Sequence, residues 1–512
     1  MTGESVLTPS RRGVVVMAGA AGLALSEAAL ANRFRGGAQN DLSDVRRVVA
    51  AEEATSIKRL QDWIALPSIA AEDRNAQEGA ARMVELLKDA GFQTANIVTT
   101  KGKPGVFAKL DAGARHTTGM YFMYDVKQFD PAEWSSPPLE GKLVARPGLG
   151  TVMIGRGAIN QKGPQATFLS ALHALRTAGR KSPVNIVLVA EGEEEIGSPN
   201  IGEIVLRPDI LRALRTCGEV WTPSALQGSD GTVKLSLGNK GLMEVELTCS
   251  GARWGRGPAQ DIHSMYKAEV DSPVWRLIAA LATLVSADGN DPAIDRWFEN
   301  VRPLTARQRQ LVAEGIRGVD EERVKRELGV GAWMRGLTFA EASERLVSQP
   351  TVNIEGMYAG HTGPGGKTVL PAKAVAKLDF RLVPDQTAEE AKAKLIRHLA
   401  ARGFGDIDVN VTGAYDPSQT PEDARVVTAA MAVYREMNIP ASLSPRSPGS
   451  NPSFIFTQPP VSRPRGHFGL GHGGRLHAPD EYYLIRSDSP KLCGLADATL
   501  GYVRFLYQLA AP

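Results

Sequence analysis

Acidic side chains and a histidine stand at places in the sequence where they could carry acid–base or metal chemistry. Glu194 and Glu195 are adjacent in the segment EGEEEIGS, which directly follows a continuous apolar run. Asp125 follows a shorter apolar run, and His477 stands in the segment LHAPDE near the carboxyl terminus. Neighbouring carboxyl groups in a buried turn repel each other, so their pKa values separate and the pair can serve as acid and base. A histidine beside them adds a second proton carrier or a metal ligand.

The first half of the chain alternates helical and strand patterns, which predicts the elements that position these acids. Apolar, β-branched runs predict strands over residues 105–110, 119–124 and 184–190, and helical spacing predicts helices over residues 78–90 and 165–178. Such alternation is typical of an α/β domain with a mostly parallel sheet. Ligands bind at the carboxyl ends of the strands in these sheets, which is where the acids stand.

The middle of the chain has a different order of elements. The pattern there predicts, in sequence, a strand over residues 242–249, a helix over 274–285, strands over 351–357 and 374–382, a helix over 387–401 and a strand over 407–412. This is the ferredoxin-like α+β order, interrupted by a charged helical insert over residues 288–348. A helix predicted over residues 421–437 returns to the α/β pattern.

The fold predicted from these patterns is a discontinuous α/β domain with a ferredoxin-like domain inserted in it. The expected boundaries are residues 32–238 and 416–512 for the two parts of the larger domain and residues 239–415 for the inserted one. The first 31 residues are set apart as an export signal.

The amino terminus has the features of a segment that is removed during export. Arg11 and Arg12 precede an apolar run over residues 14–25, which is too short to span a bilayer. The run ends near Ala29-Leu30-Ala31, a small-residue cleavage pattern, and the whole resembles a twin-arginine signal. We therefore expect a periplasmic or secreted protein, exported folded and without a membrane segment in its mature form. The alternative is an ordinary amino-terminal tail.

Composition excludes several other classes of protein. The 512 residues carry a formal net charge of +3 without a clustered basic run, which does not indicate nucleic-acid binding. Cys217, Cys249 and Cys493 are widely spaced and odd in number, so we expect buried thiols rather than disulfides or a thiolate metal site.

Five segments follow one another in the same order as the sequence motifs of one enzyme family. They are MYDV, GRGAINQKG, EGEEEIGS, DIHS and GLGHGGRLHAPDE. On these segments the chain resembles the zinc exopeptidases and deacylases of the carnosinase, carboxypeptidase G, acetylornithine deacetylase and succinyl-diaminopimelate desuccinylase family. The resemblance covers nearly all of the chain after residue 31. It implies hydrolysis of amide bonds at two metal ions that share a bridging carboxylate and a water.

The resemblance assigns roles to individual residues of this chain. Glu194 matches the general base that takes a proton from water, and Glu195 and His477 match metal ligands. His263, in the inserted domain, matches a lid histidine that reaches the partner's active site in dimeric relatives and holds the oxyanion. A homodimer through the lid domain is therefore expected.

Three further residues match positions that bind the substrate. Arg381 matches a lid arginine for the substrate carboxylate, Asn353 the usual lid asparagine, and Ser450 a loop near that carboxylate. The implied substrate is a small amide, a dipeptide or an N-acyl amino acid that bears a carboxylate.

The departures from the family are concentrated at the metal ligands. Met123 stands where the family has the histidine of an H-x-D pair, with Asp125 retained, and Asn160 stands where the family has the bridging aspartate. The remaining aspartate falls near residues 223–224, which contain none. Two divalent cations close together need strong anionic compensation, an amide carries no charge, and a thioether is a soft ligand.

The altered ligands predict a remodelled, metal-poor site. We expect no catalytic metal, or one weakly bound zinc or manganese ion held by Glu195, His477 and Asn160 with support from Asp125 or Glu194. A two-metal centre is not expected.

Several functions remain open from the sequence. The favoured one is amide hydrolysis with Glu194 as general base. The alternatives are a metal-independent isomerase or lyase, a non-catalytic periplasmic binding protein on the same fold, and a conventional metallopeptidase whose ligands align differently.

Overall fold

The computed structural model describes residues 41–511. The predicted signal segment lies outside these residues, so its removal and the export route stay predictions. Among the described residues, no helix combines the length and the apolarity needed to cross a bilayer. Cys217, Cys249 and Cys493 are buried, as expected.

The strands are β1 (Thr94–Val98), β2 (Gly105–Leu110), β3 (Thr117–Met123), β4 (Lys142–Arg146), β5 (Gly150–Ile154), β6 (Asn185–Glu191), β7 (Val220–Pro223), β8 (Val233–Ser236), β9 (Gly238–Asn239), β10 (Gly241–Ser250), β11 (Ile262–His263), β12 (Thr351–Ala359), β13 (Val369–Leu370), β14 (Lys373–Leu382), β15 (Asp408–Tyr415), β16 (Ser418–Gln419), β17 (Ala441–Ser444), β18 (Arg465–Phe468), β19 (Gly473–Gly474) and β20 (Tyr482–Ser487).

The α-helices are α1 (Ser43–Ala51), α2 (Glu53–Ile64), α3 (Ala76–Asp89), α4 (Lys162–Thr177), α5 (Ile201–Val205), α6 (Pro208–Leu214), α7 (Gly251–Trp254), α8 (Pro273–Leu281), α9 (Ala306–Ile316), α10 (Glu321–Leu328), α11 (Phe339–Ser348), α12 (Ala388–Ala401), α13 (Arg425–Glu436), α14 (Phe454–Thr457) and α15 (Leu495–Ala510).

The larger sheet has the strand order β1-β2-β6-β3-β7-β18. Strands β6, β3, β7 and β18 run parallel to one another, whereas β2 pairs antiparallel with β6 on one side and with β1 on the other. The apolar, β-branched run of β6 is buried because the strand has a neighbour on each side and a cluster of apolar side chains on each face. The predicted mostly parallel α/β sheet is therefore confirmed.

The second large sheet has the order β12-β14-β10-β15, with every pair antiparallel. The strands β10, β12, β14 and β15 are the first to fourth strands of this sheet along the chain, so the order in the sheet is second, third, first, fourth, which is the ferredoxin-like arrangement. Buried residues of α8 and α12 share one apolar cluster with the sheet. The predicted fold class is confirmed, whereas the domain boundaries stay predictions. The helix expected over residues 274–285 ends at Leu281, because the chain then turns and Val285 bridges Pro292.

A third sheet, β19-β20-β5-β4, was not expected from the sequence. Its strands β5 and β20 pair antiparallel, with Tyr482 opposite Ile154. The GRGAINQKG loop begins directly after β5, and the LHAPDE segment ends directly before β20. This pairing therefore brings Asn160 and His477 to the same place.

Candidate active site

The loop that carries Asn160 is held by the buried carboxylate of Glu481. Arg156 Nη1 lies 2.7 Å from Glu481 Oε2, and the backbone amides of Gly157, Ile159 and Asn160 donate to the same carboxylate at 3.1, 2.9 and 2.9 Å. Burial raises the pKa of Glu481, although these donors oppose the shift. Four donors on one buried carboxylate fix the backbone of the loop.

Asn160, Glu195 and His477 contact one another at the centre of the site. The amide nitrogen of Asn160 donates to Glu195 Oε1 at 2.6 Å and lies 2.9 Å from His477 Nε2. His477 Nε2 lies 3.3 Å from Glu195 Oε2. The backbone carbonyl of His477 accepts from Arg156. The Arg156–Glu481 ion pair therefore positions both Asn160 and His477. Three residues that the sequence singled out as metal ligands thus come together.

Asp125 supports the glutamate pair of this site. Its buried carboxylate accepts from the backbone amides of Glu194 and Glu195 at 3.3 and 3.0 Å. Burial raises the pKa of Asp125 well above its usual range, and the charges of Glu195, Glu194 and Glu191 add to the shift. Asp125 therefore acts first as an acceptor that shapes the turn.

Two neighbouring glutamates also have raised pKa values. Burial raises the pKa of Glu194 to about 8, with further contributions from Glu195 and Glu191 and an opposing one from Lys127. Burial raises the pKa of Glu191 to about 7, although the hydroxyls of Tyr121 and Ser198 donate to it at 2.6 and 2.8 Å. The site thus contains carboxyl groups that exchange protons near neutral pH.

Lys127 belongs to this site and was missed in the sequence. Its ammonium group donates to the backbone carbonyl of Glu195 and lies 3.5 Å from Glu195 Oε2. The available signal was its position, because Lys127 stands two residues after Asp125, just past the end of the predicted strand over residues 119–124.

The side chains at the other family ligand positions are not metal ligands of the usual kind. Met123 ends β3 as a buried thioether, and Ser224, which follows β7, lies 3.1 Å from His467 Nδ1 through its hydroxyl. Burial lowers the pKa of His467 to about 3. In the part of the chain that the structure describes, no three His, Cys, Asp or Glu side chains are arranged to hold a metal ion.

The donor set therefore does not fit the two metal ions that the family implies. A thioether, a hydroxyl and an amide whose N–H is directed at Glu195 stand where two divalent cations require carboxylates and imidazole.

The structure brings together two of the predicted substrate-binding residues. Arg381 Nη1 donates to the hydroxyl of Ser450 at 3.2 Å. Its Nη2 and Nε atoms also lie 2.7 and 3.2 Å from Asp379 Oδ2, so part of the guanidinium fork is paired within the lid. Asn353 is exposed on β12, opposite Asp379 in the strand register.

His263 is exposed on the lid, at the end of β11. Its Nδ1 atom accepts from the amide of Met265 at 3.1 Å, and its Nε2 atom lies 3.1 Å from the hydroxyl of Thr368. Within residues 41–511, it makes no hydrogen bond to the Asn160–Glu195–His477 contact. A single chain therefore does not bring His263 to this centre in the described structure.

Comparisons with known proteins point to peptidases. A family model described as Peptidase family M20/M25/M40 matches residues 124–499. Cys-Gly metallodipeptidase DUG1 of Candida albicans is 25% identical over 366 residues, which cover 67% of this chain and 72% of the relative. Human Beta-Ala-His dipeptidase is 27% identical over 308 residues, which cover 58% of this chain and 56% of the relative.

A solved structure agrees over a longer span. The M20 family metallo-carboxypeptidase Sso-CP2 from Sulfolobus solfataricus superposes with a TM-score of 0.77 at 28% identity, covering 89% of this chain and 98% of that structure.

We predict that Glu481→Gln lowers the free energy of unfolding by about 3–5 kcal/mol, because it leaves the buried Arg156 without its charged partner. Urea denaturation measures the change. The control is Glu299→Gln, which breaks an exposed pair with Arg296 at 2.9 Å and should cost about 1 kcal/mol or less. Equal losses in the two variants would contradict the special role of Glu481.

Proposed function

The chain belongs to peptidase family M20/M25/M40, and we propose from this that it hydrolyses amide bonds in small peptides or N-acyl amino acids. The membership confirms the resemblance expected from the five sequence segments. The proposed activity is supported by the relatives, which are named as dipeptidases and a carboxypeptidase. It rests on one observation above all, the contact of Glu195 with Asn160 and His477 beside Glu194 at the carboxyl end of β6.

The acid–base part of the reaction is proposed for Glu194. Amide hydrolysis needs a group that takes a proton from the attacking water and returns it to the leaving nitrogen. Glu194 is half-buried. Its backbone amide donates to Asp125, and this hydrogen bond fixes the point from which the Glu194 side chain extends. The Asn160 amide and the His477 imidazole, which contact the adjacent Glu195, supply further polar groups.

The proposed centre is metal-poor, which distinguishes it from the relatives whose names include a metal. The support for this is the identity of three side chains. Met123, Asn160 and Ser224 stand where the family resemblance implies one imidazole and two carboxylates as metal ligands. One weakly bound zinc or manganese ion at Glu195 and His477 is compatible with the proposal, whereas two tightly bound ions are not.

We predict fewer than one tightly bound divalent ion per chain in protein purified without added metal, measured by elemental analysis. Met123→His combined with Asn160→Asp should increase zinc or manganese uptake, because it restores an imidazole and a carboxylate. Asn410→Asp adds a carboxylate at an exposed position of β15 and should leave the metal content unchanged. Two ions per wild-type chain would refute the metal-poor centre.

We predict that Glu194→Gln lowers turnover of a dipeptide or N-acyl amino acid by about 10²–10⁴-fold, the usual worth of general acid–base assistance. The amide keeps the shape of the side chain and removes its basicity. Glu203→Gln, which alters a half-buried glutamate paired with Lys101 on the surface, serves as the control. Wild-type turnover in Glu194→Gln would exclude Glu194 as the base.

A substrate carboxylate is proposed to bind at Arg381 and Ser450. The guanidinium and the hydroxyl already lie 3.2 Å apart, and Asp379 holds the remainder of the fork in place. A planar fork suits a carboxylate, with which it forms charge-assisted hydrogen bonds.

We predict that Arg381→Lys weakens binding of a carboxylate-bearing substrate by about 1.5–3 kcal/mol, since the ammonium keeps the charge but loses the fork. Calorimetric titration with the Glu194→Gln protein measures binding without turnover. The substrate amide, which lacks the negative charge, should be affected much less. Equal losses for acid and amide would mean that Arg381 serves the lid structure alone.

A homodimer through the lid is proposed from an exposed apolar surface, named here the lid surface. Strand β12 is an edge strand of the ferredoxin-like sheet, and α8 packs on one face of that sheet. The exposed residues of the lid surface are Trp275, Ile278, Ile354, Met357 and Tyr358. An unpaired edge strand with apolar neighbours is a ready template for a second copy.

We predict that Trp275→Glu converts the dimer to a monomer at micromolar concentration, because it places a charge in the lid surface. Sedimentation equilibrium measures the mass. Leu328→Glu changes an equally exposed apolar residue in the helical insert and should leave the dimer intact. A wild-type protein that sediments as a monomer would contradict the proposal.

A further inference from the structure

The acids around Glu195 form a cluster that needs a positive charge. Asp125, Glu191, Glu193 and Glu195 are buried, and Glu194 is half-buried. Burying a carboxylate away from water is costly unless the group is paired, protonated or bound to a cation. The metal ligands that this chain lacks are those that would have brought two divalent cations here.

Lys127 supplies a positive charge to this cluster. Among residues 41–511, it is the only lysine or arginine that forms an ion pair with one of the five carboxyl groups, at 3.5 Å from Glu195 Oε2. Its second bond, to the backbone carbonyl of Glu195, ties the ammonium to the turn itself.

Nitrogen groups also surround both oxygens of Glu195. The Asn160 amide donates to Oε1 at 2.6 Å, and His477 and Lys127 lie 3.3 and 3.5 Å from Oε2. A carboxylate whose two oxygens already face nitrogen groups has little to offer an incoming cation. The ammonium group adds direct repulsion, which is strong at a few ångströms in a partly buried place.

We propose that Lys127 is the resident cation of this cluster, standing in the electrostatic role of a metal ion and keeping divalent ions out. The proposal rests on the metal-poor centre put forward above and adds the residue that maintains it. Because the ammonium is part of the chain, its charge is present whatever the metal supply.

The first test measures divalent binding by calorimetric titration with zinc or manganese chloride. Lys127→Gln should bind one ion at least tenfold more tightly than the wild type, because the repelling charge is gone. Lys127→Arg keeps the charge and should bind as weakly as the wild type. Lys101→Gln removes an exposed lysine outside the cluster and serves as the control. Equal affinities in Lys127→Gln and the wild type would overturn the proposal, as would two tightly bound ions in the wild type.

The second test measures stability and does not need Lys127→Gln to bind metal. Thermal unfolding should show a lower midpoint for Lys127→Gln, and Glu195→Gln in the same chain should recover at least half of the loss, because the unpaired carboxylate is then removed. If Lys127→Gln does not fold, the double variant should still fold. A loss that is the same with and without Glu195 would mean that Lys127 acts through packing, which overturns the proposal. Neither readout uses peptidase turnover, so failure of the proposed activity leaves both tests decisive for Lys127.

Discussion

The buried carboxylate of Glu481 joins parts of the chain that lie 325 residues apart, since its ionic partner is Arg156. An isolated buried ion pair contributes little net stability, because desolvation offsets the attraction. Here three backbone amides satisfy the rest of the carboxylate, so the group also specifies the shape of a loop. The arginine adds a bond to the backbone of His477. Asn160 and His477 therefore owe their contact to one carboxylate that touches neither the acid cluster nor a substrate.

The same site is linked to the inserted domain through Tyr415. This residue ends β15, and its hydroxyl lies 3.3 Å from the hydroxyl of Ser198 and 3.5 Å from the backbone carbonyl of Glu194. Ser198 in turn donates to Glu191. The ferredoxin-like unit is thus connected to the turn that carries the glutamates at the point where its last strand leaves the sheet.

Patterns of apolar residues predicted most of the fold. The β-branched run of β6 and the alternation along β10 and β14 identified buried strands, and the order of elements identified the ferredoxin-like unit. The sheet of β4, β5, β19 and β20 could not be predicted in this way, because β19 consists of two glycines and its pairing depends on contacts distant in sequence. Lys127 and Glu481 were missed as site residues for a similar reason. From sequence alone, a lysine or glutamate in a loop is interpreted as a solvated surface residue, because the partner that buries it is distant in sequence. The pairing of Arg381 with Asp379 was accessible, since strand residues two apart share a face.

Compared with the ligand set that the family resemblance implies, the substitutions at the centre remove two negative charges. Replacing a bridging aspartate by Asn160 and a third acid by an uncharged residue removes negative charge where the imidazole at position 123 is also gone. The acids that remain outnumber the one ammonium group of Lys127, so another positive charge must be held in the cluster. Burial raises the pKa of Glu194 to about 8 and that of Glu191 to about 7, and it raises the pKa of Asp125 as well, so protons on these carboxyl groups are the form in which we propose that this charge is held. We propose that these protons and the ammonium group of Lys127 together offset the negative charge of the acids in a metal-poor centre. A carboxyl group with a raised pKa is a stronger base once its proton has left, and this is the physical reason for proposing deprotonated Glu194 as the general base.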